Sequence, residues 1–600
     1  MRTRTISRVS RWIVPFLQIL FFSAALLGTE ASFAEDNPPA RVARISYLKG
    51  KVSFQPAGHD QWSEATPNFT VTTGDRLYAD KDARAELEVG PYSVHLSSAT
   101  DLLVTNLNDQ IMQLGVEQGA LRVSVYELTS GNTVEIDTPN GALSILAAGT
   151  YRVDTDPDGN TTVVTVNSGS LEISGEGVSQ TLQAGQAARL TGHNPIHFTS
   201  IPSPPLDSFD KWCEERDRRL ASSTSAKYVS RGVPGYGDLD DYGRWEVVEE
   251  YGPIWYPAGI PVGWVPYRFG RWAWIEPWGW TWVEDEPWGF CPFHYGRWVL
   301  IGPAWGWLPG PYVTLPVYAP ALVAFVGGPH FSIGVSVRNV SLAAWFPLGP
   351  GEPYFPWYHY GGDYLRVVNV TNIRNVTNIT NITNVTNINE VHYTYRTVAA
   401  TAVPTNVFNT GQPVAHQLVR LTPQQLERAQ VVPHPTVTPR ASAALPGRPV
   451  AAPPVRAVPV VSARAAPKPP AIRSAPGEAR TPPPLVARNS APPARAERIP
   501  PTSSNAKPLP STIGSDRSSP KAAPPGLITR NPQPPPKVPF VEQRRFMAEH
   551  PGRPLEPQQM ENLRAGRPPG PMVDREFPPH VMPFPHARLA PPVQSGRRKS

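Results

Sequence analysis

The tripeptide Gly-Arg-Trp occurs three times, at Gly243-Arg244-Trp245, Gly270-Arg271-Trp272 and Gly296-Arg297-Trp298, and each copy follows Tyr or Phe. The spacings are 27 and 26 residues, and 12 of the 17 tryptophans of the chain lie between Tyr242 and Gly310. Each copy leads into a short apolar run: Glu246-Val247-Val248, Ala273-Trp274-Ile275 and Val299-Leu300-Ile301. A glycine turn is expected at Gly252, Gly279 and Gly306, followed by Ile254-Trp255-Tyr256, Trp280-Thr281-Trp282 and Trp307-Leu308. The unit is therefore strand, turn, strand and aromatic connector. One hairpin is marginally stable by itself, so several must bury their aromatic faces together.

Two readings of the indoles remain open. Large aromatic side chains in an array with few Leu or Ile can be its core. Indoles left exposed by the strand alternation would instead present flat faces to sugar rings, and Trp255, Trp264, Trp274, Trp280, Trp282 and Trp288 are the candidate platform. The arginines of the motif fit cation–π stacking or bonding to a nearby carbonyl.

The N-terminus sets the expected compartment. Arg2, Arg4, Arg8 and Arg11 precede the apolar run Trp12 to Leu27, and Ser32-Phe33-Ala34 supplies small residues for cleavage after about Ala34. This is the pattern of a secretory signal peptide over residues 1–34. At 16 residues the run is short for a membrane span, and no later stretch reaches 18 apolar residues. The mature protein is expected to be exported, to the periplasm or surface of a Gram-negative bacterium. Only Cys213 and Cys291 are present. Their separation leaves a disulfide open and offers no cysteine-based metal site.

Residues 35–200 read as β. Ala83 to Val89 and Leu121 to Val125 alternate small or apolar with charged or polar side chains, the period of a strand with one face buried. Strands start from a glycine at Gly50, Gly119 and Gly169, which suggests a rolled or stacked β architecture. Asp154 to Asn160 has the acidic spacing of a calcium loop, but Thr165 occupies the position that needs a bidentate Glu, so a hairpin turn is expected. Ala43-Arg44-Ile45, Gly50-Lys51-Val52, Gly74-Asp75-Arg76-Leu77, Thr138-Pro139-Asn140, Gly149 to Val153 and Ala184-Gly185-Gln186 resemble the landmarks of a FecR-type domain over residues 42–190. That resemblance implies a periplasmic β fold. Sigma regulators of that family carry a cytoplasmic anti-sigma segment and a membrane span, in place of which this sequence shows a signal peptide.

A helix over residues 206–222, capped by Asp207 or Ser208, should dock through Phe209, Trp212, Cys213 and Leu220. Its charges, Glu214 to Arg219, are expected to face water, and Asp238, Asp240 and Asp241 to sit in turns. Residues 228–366, with His294 to Trp298 and Ala344 to Glu352, are similar to a Trp-rich domain of unknown function found in envelope proteins. Glu284, Asp285, Glu286 and His294 are the nearest approach to an acid–base set, but no nucleophile elbow, zinc-protease or phosphate-loop motif accompanies them. No catalytic residue, cofactor or metal centre is expected.

Residues 369–389 are seven Asn-x-Thr-like triplets, a period of neither helix nor strand, which suits a three-sided coil, a self-associating fibre or a polar spacer. Residues 401–600 are rich in Pro, Ala and Arg and are expected to be disordered, with Phe540 to Met547 and Pro557 to Leu563 able to form short helices on a partner. The net charge of +6 hides an asymmetry. Residues 41–200 hold 10 Lys/Arg against 18 Asp/Glu, and residues 441–600 hold 24 against 9. A basic tail suits a protein or other anionic partner in the envelope, and nucleic acid is not expected. The expected whole is a mainly β, non-enzymatic envelope protein that binds or scaffolds peptidoglycan or another polysaccharide, or alternatively a periplasmic signal-sensing component of a FecR-like system.

Overall fold

The computed structural model describes residues 37–327, 332–335, 338–361, 363–373, 388, 391–455, 458–463, 528–530 and 538–569. The expected signal peptide and most of the triplet run lie outside these residues. Among the described residues no helix is long and apolar enough to cross a membrane.

The fold is mainly β. Residues 43–201 form two sheets that share the 15-residue strand Ile111–Val125. Sheet I runs Thr70–Val71, Ala43–Lys49, Arg84–Glu88, Tyr92–Leu96, the end of the long strand, Gly149–Thr155, Thr161–Ser168, Ala187–Thr191 and His197–Ile201. Sheet II runs Trp62–Glu64, Val52–Gln55, Arg76–Ala79, Thr100–Leu107, the start of the long strand, Thr133–Thr138, Gly141–Ile145, Ser170–Gly175 and Val178–Gln183. Pairing is antiparallel except between the long strand and Thr133–Thr138.

The three glycines that open the self-similar segments mark places where the chain changes sheet. Gly50 and Gly169 link a strand of sheet I to one of sheet II, and Gly119 is the bend at which the long strand passes from II to I. All three have positive φ, at 73°, 92° and 85° for Gly50, Gly119 and Gly169. At Gly119 space matters too, because an added Cβ would lie 2.4 Å from Thr100 Cα. The Asp154 to Asn160 segment is the expected turn. Gly159 has φ 69°, and the strands Gly149–Thr155 and Thr161–Ser168 pair across it.

The helix Ser208–Ala221 forms as expected, with Asp207 as N-cap in a reciprocal capping box with Asp210. Phe209, Cys213 and Leu220 are buried. Its charges correct the expectation of a solvated face. Arg216 Nε donates to Glu86 Oε2 at 2.6 Å, and Asp217 accepts from Ser124 Oγ at 2.6 Å and Tyr126 OH at 2.8 Å. Asp210 pairs with Arg122 and Arg152. The alternation in sheet I is therefore not apolar-in, polar-out to water. Glu86, Arg122 and Ser124 point outward but lie buried beneath a helix of complementary charge.

The tryptophan array folds into three hairpins: Gly243–Val248 with Gly252–Pro257, Gly270–Ile275 with Gly279–Glu284, and Arg297–Ile301 with Ala304–Leu308. In each, the Trp of Gly-Arg-Trp lies opposite a second Trp: Trp245 and Trp255, Trp272 and Trp282, Trp298 and Trp307. The motif glycine makes room for that partner. A Cβ on Gly243 would lie 2.4 Å from the Trp255 ring, and one on Gly296 would lie 2.7 Å from Trp307 Nε1. The third turn falls at Gly302 (φ 57°) rather than Gly306, which is inside a strand where its lack of a side chain admits Ile254 and Tyr256. The first and third hairpins join edge to edge through Trp255 and Trp307. The second forms its own sheet.

Residues 401–463 correct the expectation of a disordered tail. Thr401–Pro404 pairs with Arg338–Pro347, Gln430–Val432 with Val323–Gly327, Pro449–Val450 with Trp62–Glu64, and Val460–Ser462 with Thr133–Thr138. Phe408 packs against Trp272 and Trp280 at centroid distances of 5.2 and 4.5 Å. Helices Phe540–Met547 and Pro557–Arg564 bury Phe540, Met547 and Met560. Proline composition misleads here because proline is tolerated at strand edges and first helical turns, while the Val, Ala and Phe between prolines supply apolar contact.

Candidate functional site

The six indoles of the candidate platform are all buried. Trp255, Trp280 and Trp282 are 0% exposed, Trp288 is 1%, and Trp264 and Trp274 are 3%. This corrects the platform reading. The alternation that would expose one face of each hairpin is cancelled because a second layer covers it. Trp255 and Trp264 pack on Trp288, and Trp264 on Trp298. Trp272 and Trp282 pack on Trp345. Three indole N–H groups bond inward, from Trp255 to Leu239 O and Trp307 to Tyr295 O at 2.8 Å, and from Trp280 to Val437 O at 3.1 Å, whereas those of Trp264 and Trp274 are buried without a hydrogen-bond partner.

The motif arginines diverge. Arg297, 1% exposed, donates to Gly296 O (2.9 Å), Glu352 O (3.1 Å) and Asn369 Oδ1 (3.3 Å). Arg271 donates to Pro446 O and stands over the Phe69 ring. Arg244 is exposed, beside Glu246 and over Tyr256.

Two members of the acid–base set, Glu284 and His294, are likewise absorbed by packing, while Asp285 is exposed and Glu286 half-buried. Glu284 is buried, not in a solvated turn, and accepts from Trp282 Nε1 at 2.7 Å. Burial pushes its carboxyl well above the usual range. His294 Nδ1 donates to Ala319 O at 2.9 Å, and burial lowers the imidazole to about 3. Asp238 accepts from Arg44 and Arg219, Asp240 accepts from Thr224 and Ser225, and Asp241 pairs with Arg219. No group of three metal-ligating side chains occurs among the described residues. Cys213 and Cys291 are both free and buried.

The β region and the array are joined by buried polar groups. Arg44 of the first strand binds Asp238 and Pro287 O and stands 3.6 Å from Glu88, which accepts the Gly235 amide at 2.6 Å. Asn68 Nδ2 donates to Glu286 O at 2.7 Å, and Thr70 and Tyr318 share a 2.7 Å hydroxyl bond. Such groups discriminate sharply against other arrangements, since each would be costly if left unpaired.

Beside this seam lies a cavity of about 350 Å³. One wall comes from residues ahead of the first strand, Asn37 and Arg41, and from Thr72, Asn106 and Asn108 of the β region. The second hairpin contributes Trp274, Glu276 and Trp278 at its turn. Leu555, Met560 and Arg564 of the C-terminal helical segment close the remaining side. Of the six platform tryptophans, Trp274 is among the residues of this cavity. The sequence carried no sign of the rest, because they come from segments as far apart as Asn37 and Arg564.

Residues 236–352 match a family of unknown function, DUF6600. No curated protein matches the chain. Among solved structures, a crystal structure of a candidate anti-sigma factor from Parabacteroides distasonis ATCC 8503 is similar at 13% identity and TM-score 0.20, covering 21% of this chain and 59% of that one. A second crystal structure of it gives 14% identity and TM-score 0.19 over the same shares. This chain thus spans less than two thirds of that protein's length, and at these scores the likeness carries no argument about fold or activity.

Proposed function

We propose that the chain is an exported, non-catalytic envelope protein that binds cell-wall polysaccharide and holds it against a rigid β scaffold. The observation that carries this reading is the cavity between the β region, the second hairpin and the C-terminal segment. It combines apolar walls with a few amide, hydroxyl and guanidinium groups, as small-molecule sites do. The non-catalytic part is supported by the fate of two of the acid–base candidates, since Glu284 Oε2 accepts from an indole and His294 Nδ1 is bonded to a backbone carbonyl. Export rests on the signal-peptide pattern, and the periplasm on the FecR-type landmarks of residues 42–190. The basic tail and the triplet run would add a protein contact and self-association.

Retention of the full exported chain on insoluble peptidoglycan tests this. Co-sedimentation at low and moderate salt is expected, and a chain that stays in the supernatant at both salts refutes it. The FecR-type landmarks also favour a second reading, a periplasmic sensing component. That reading requires a protein partner captured from the envelope and no retention on the polymer.

A further inference from the structure

We infer that the cavity takes a sugar acid, a single saccharide ring bearing one carboxylate, and that Arg41 is the group that pairs with that carboxylate. This rests on the binding reading above and adds the ligand's charge and size.

Arg41 is 6% exposed, lines the cavity, and stands 5.3 Å above the Tyr92 ring. Its Nε and NH1 have no hydrogen-bond partner, and among the described residues no carboxylate lies within ion-pair distance of it. The other buried arginines each have a carboxylate or a set of oxygen acceptors, although Arg44 Nε and NH1 and Arg122 Nε also lack hydrogen-bond partners. Arg44 has Asp238 and Glu88, Arg76 has Asp101 and Glu117, Arg122 has Asp210, and Arg297 has three oxygen acceptors. A buried guanidinium without an anion is unfavourable, and its planar fork fits a carboxylate in bidentate fashion. The position of Arg41 is fixed by the backbone. Asp109 Oδ1 accepts the amides of Ala40 at 2.7 Å and Arg41 at 3.1 Å.

The rest of the lining sets the class of anion. Arg564 already pairs with Glu561 at 3.2 Å, so Arg41 is the cation left to be matched. Glu276 also lines the cavity, and its negative charge opposes a dianion such as phosphate. A single carboxylate, which can pair with Arg41, is repelled by Glu276 less than a dianion is. The amide nitrogens of Asn37 and Asn106 offer donors for hydroxyl and acetamido groups, while Asn108 is committed to the amides of Gln110 and Ile111 and to Asn106 Oδ1. A volume near 350 Å³ is at the small end for ligand sites and suits one ring rather than a strand.

Calorimetric titration of the full exported chain tests this with two sugars that differ only by a carboxylate-bearing lactyl ether, N-acetylmuramic acid and N-acetylglucosamine, and with inorganic phosphate. The expected result is at least tenfold tighter binding of N-acetylmuramic acid than of either other probe, weakened by salt. Arg41→Gln should abolish the difference between the sugars and Arg41→Lys should restore part of it. Equal binding of both sugars, stronger binding of phosphate, or no heat with N-acetylmuramic acid overturns the inference. If Arg41→Gln does not fold, the comparison of sugars on the native chain decides. Retention on insoluble peptidoglycan without N-acetylmuramic acid binding sinks this inference and leaves the broader reading standing. Binding of the sugar acid without retention does the reverse.

Discussion

The passage of the long strand from one sheet to the other should make Gly119 far less replaceable than a glycine of the same backbone conformation elsewhere. Gly119 and Gly131 have φ of 92° and 89°. Alanine at either position is strained by roughly 1–2 kcal/mol, because left-handed backbone crowds Cβ against the carbonyl. Part of that is offset, by about 0.4–1 kcal/mol, through the lower entropy of the unfolded chain. The two sites differ in space. A Cβ on Gly131 meets nothing within 4 Å, whereas one on Gly119 would lie 2.4 Å from Thr100 Cα and 2.7 Å from Ala99 O. Those are backbone atoms, and Thr100 is tied to the same strand through hydrogen bonds of its Oγ1 with Ala120 N (3.0 Å) and Ala120 O (3.1 Å). Overpacking of this kind costs about 1–3 kcal/mol. Gly131→Ala should therefore lose about 1 kcal/mol or less, and Gly119→Ala about 2–4 kcal/mol. Urea unfolding followed by far-ultraviolet circular dichroism reads the difference as a shift in midpoint at constant slope. Equal midpoints for the two variants would refute the idea that Gly119 is a sheet-crossing point with no room for a side chain.

The repeated arginine should not behave as a repeat. Arg297→Met takes the guanidinium donors from Gly296 O and Glu352 O, and one of two donors from Asn369 Oδ1, and should cost about 3 kcal/mol, while Arg244→Met, on an exposed side chain, should stay within about 0.5 kcal/mol. Thermal unfolding of both variants checks this. Both cysteines should resist Ellman's reagent in the folded chain and release two thiols in urea, with no mass change on reduction, since burial raises both thiol pKa values and each is free. Burial also pushes the Glu117 carboxyl up to about 7, against the pull of Arg76. Because its folded pKa is above the unfolded value, the folded state holds the extra proton between about 4.5 and 7, and stability falls as pH rises through that window. Melting temperatures of the native chain and Glu117→Gln at pH 5 and pH 8 should show the native chain losing ground to the variant at the higher pH; an unchanged gap would count against it.

The periodic features were legible from residues. Spacing of 26 and 27 places three hairpins in register, and the turn at Asp154 to Asn160 follows from its Asp-Gly chemistry. The third turn was misplaced because Gly302 and Gly306 are equally good turn formers locally, and only pairing with Ala304–Leu308 chooses between them. The candidate platform failed for a related reason. Alternation tells which side chains share a face, and Trp272, Trp274, Trp280 and Trp282 do pair across one hairpin, but it cannot tell what covers that face.

What the sequence alone determined is local: a β chain, three aromatic hairpin units, a capped helix and an N-terminal pattern like that of a signal peptide. Tertiary structure decided everything that depends on a second surface. It buried the outward charges of sheet I under a helix bearing their counter-ions. It placed proline-rich residues 401–463 as edge strands, and it gathered the cavity from segments far apart in the chain. The physical reason is the same throughout. Hydrogen-bond geometry and side-chain period are properties of a few consecutive residues, whereas desolvation, and so the meaning of a tryptophan or of Arg41, is set by neighbours that the order of residues does not reveal.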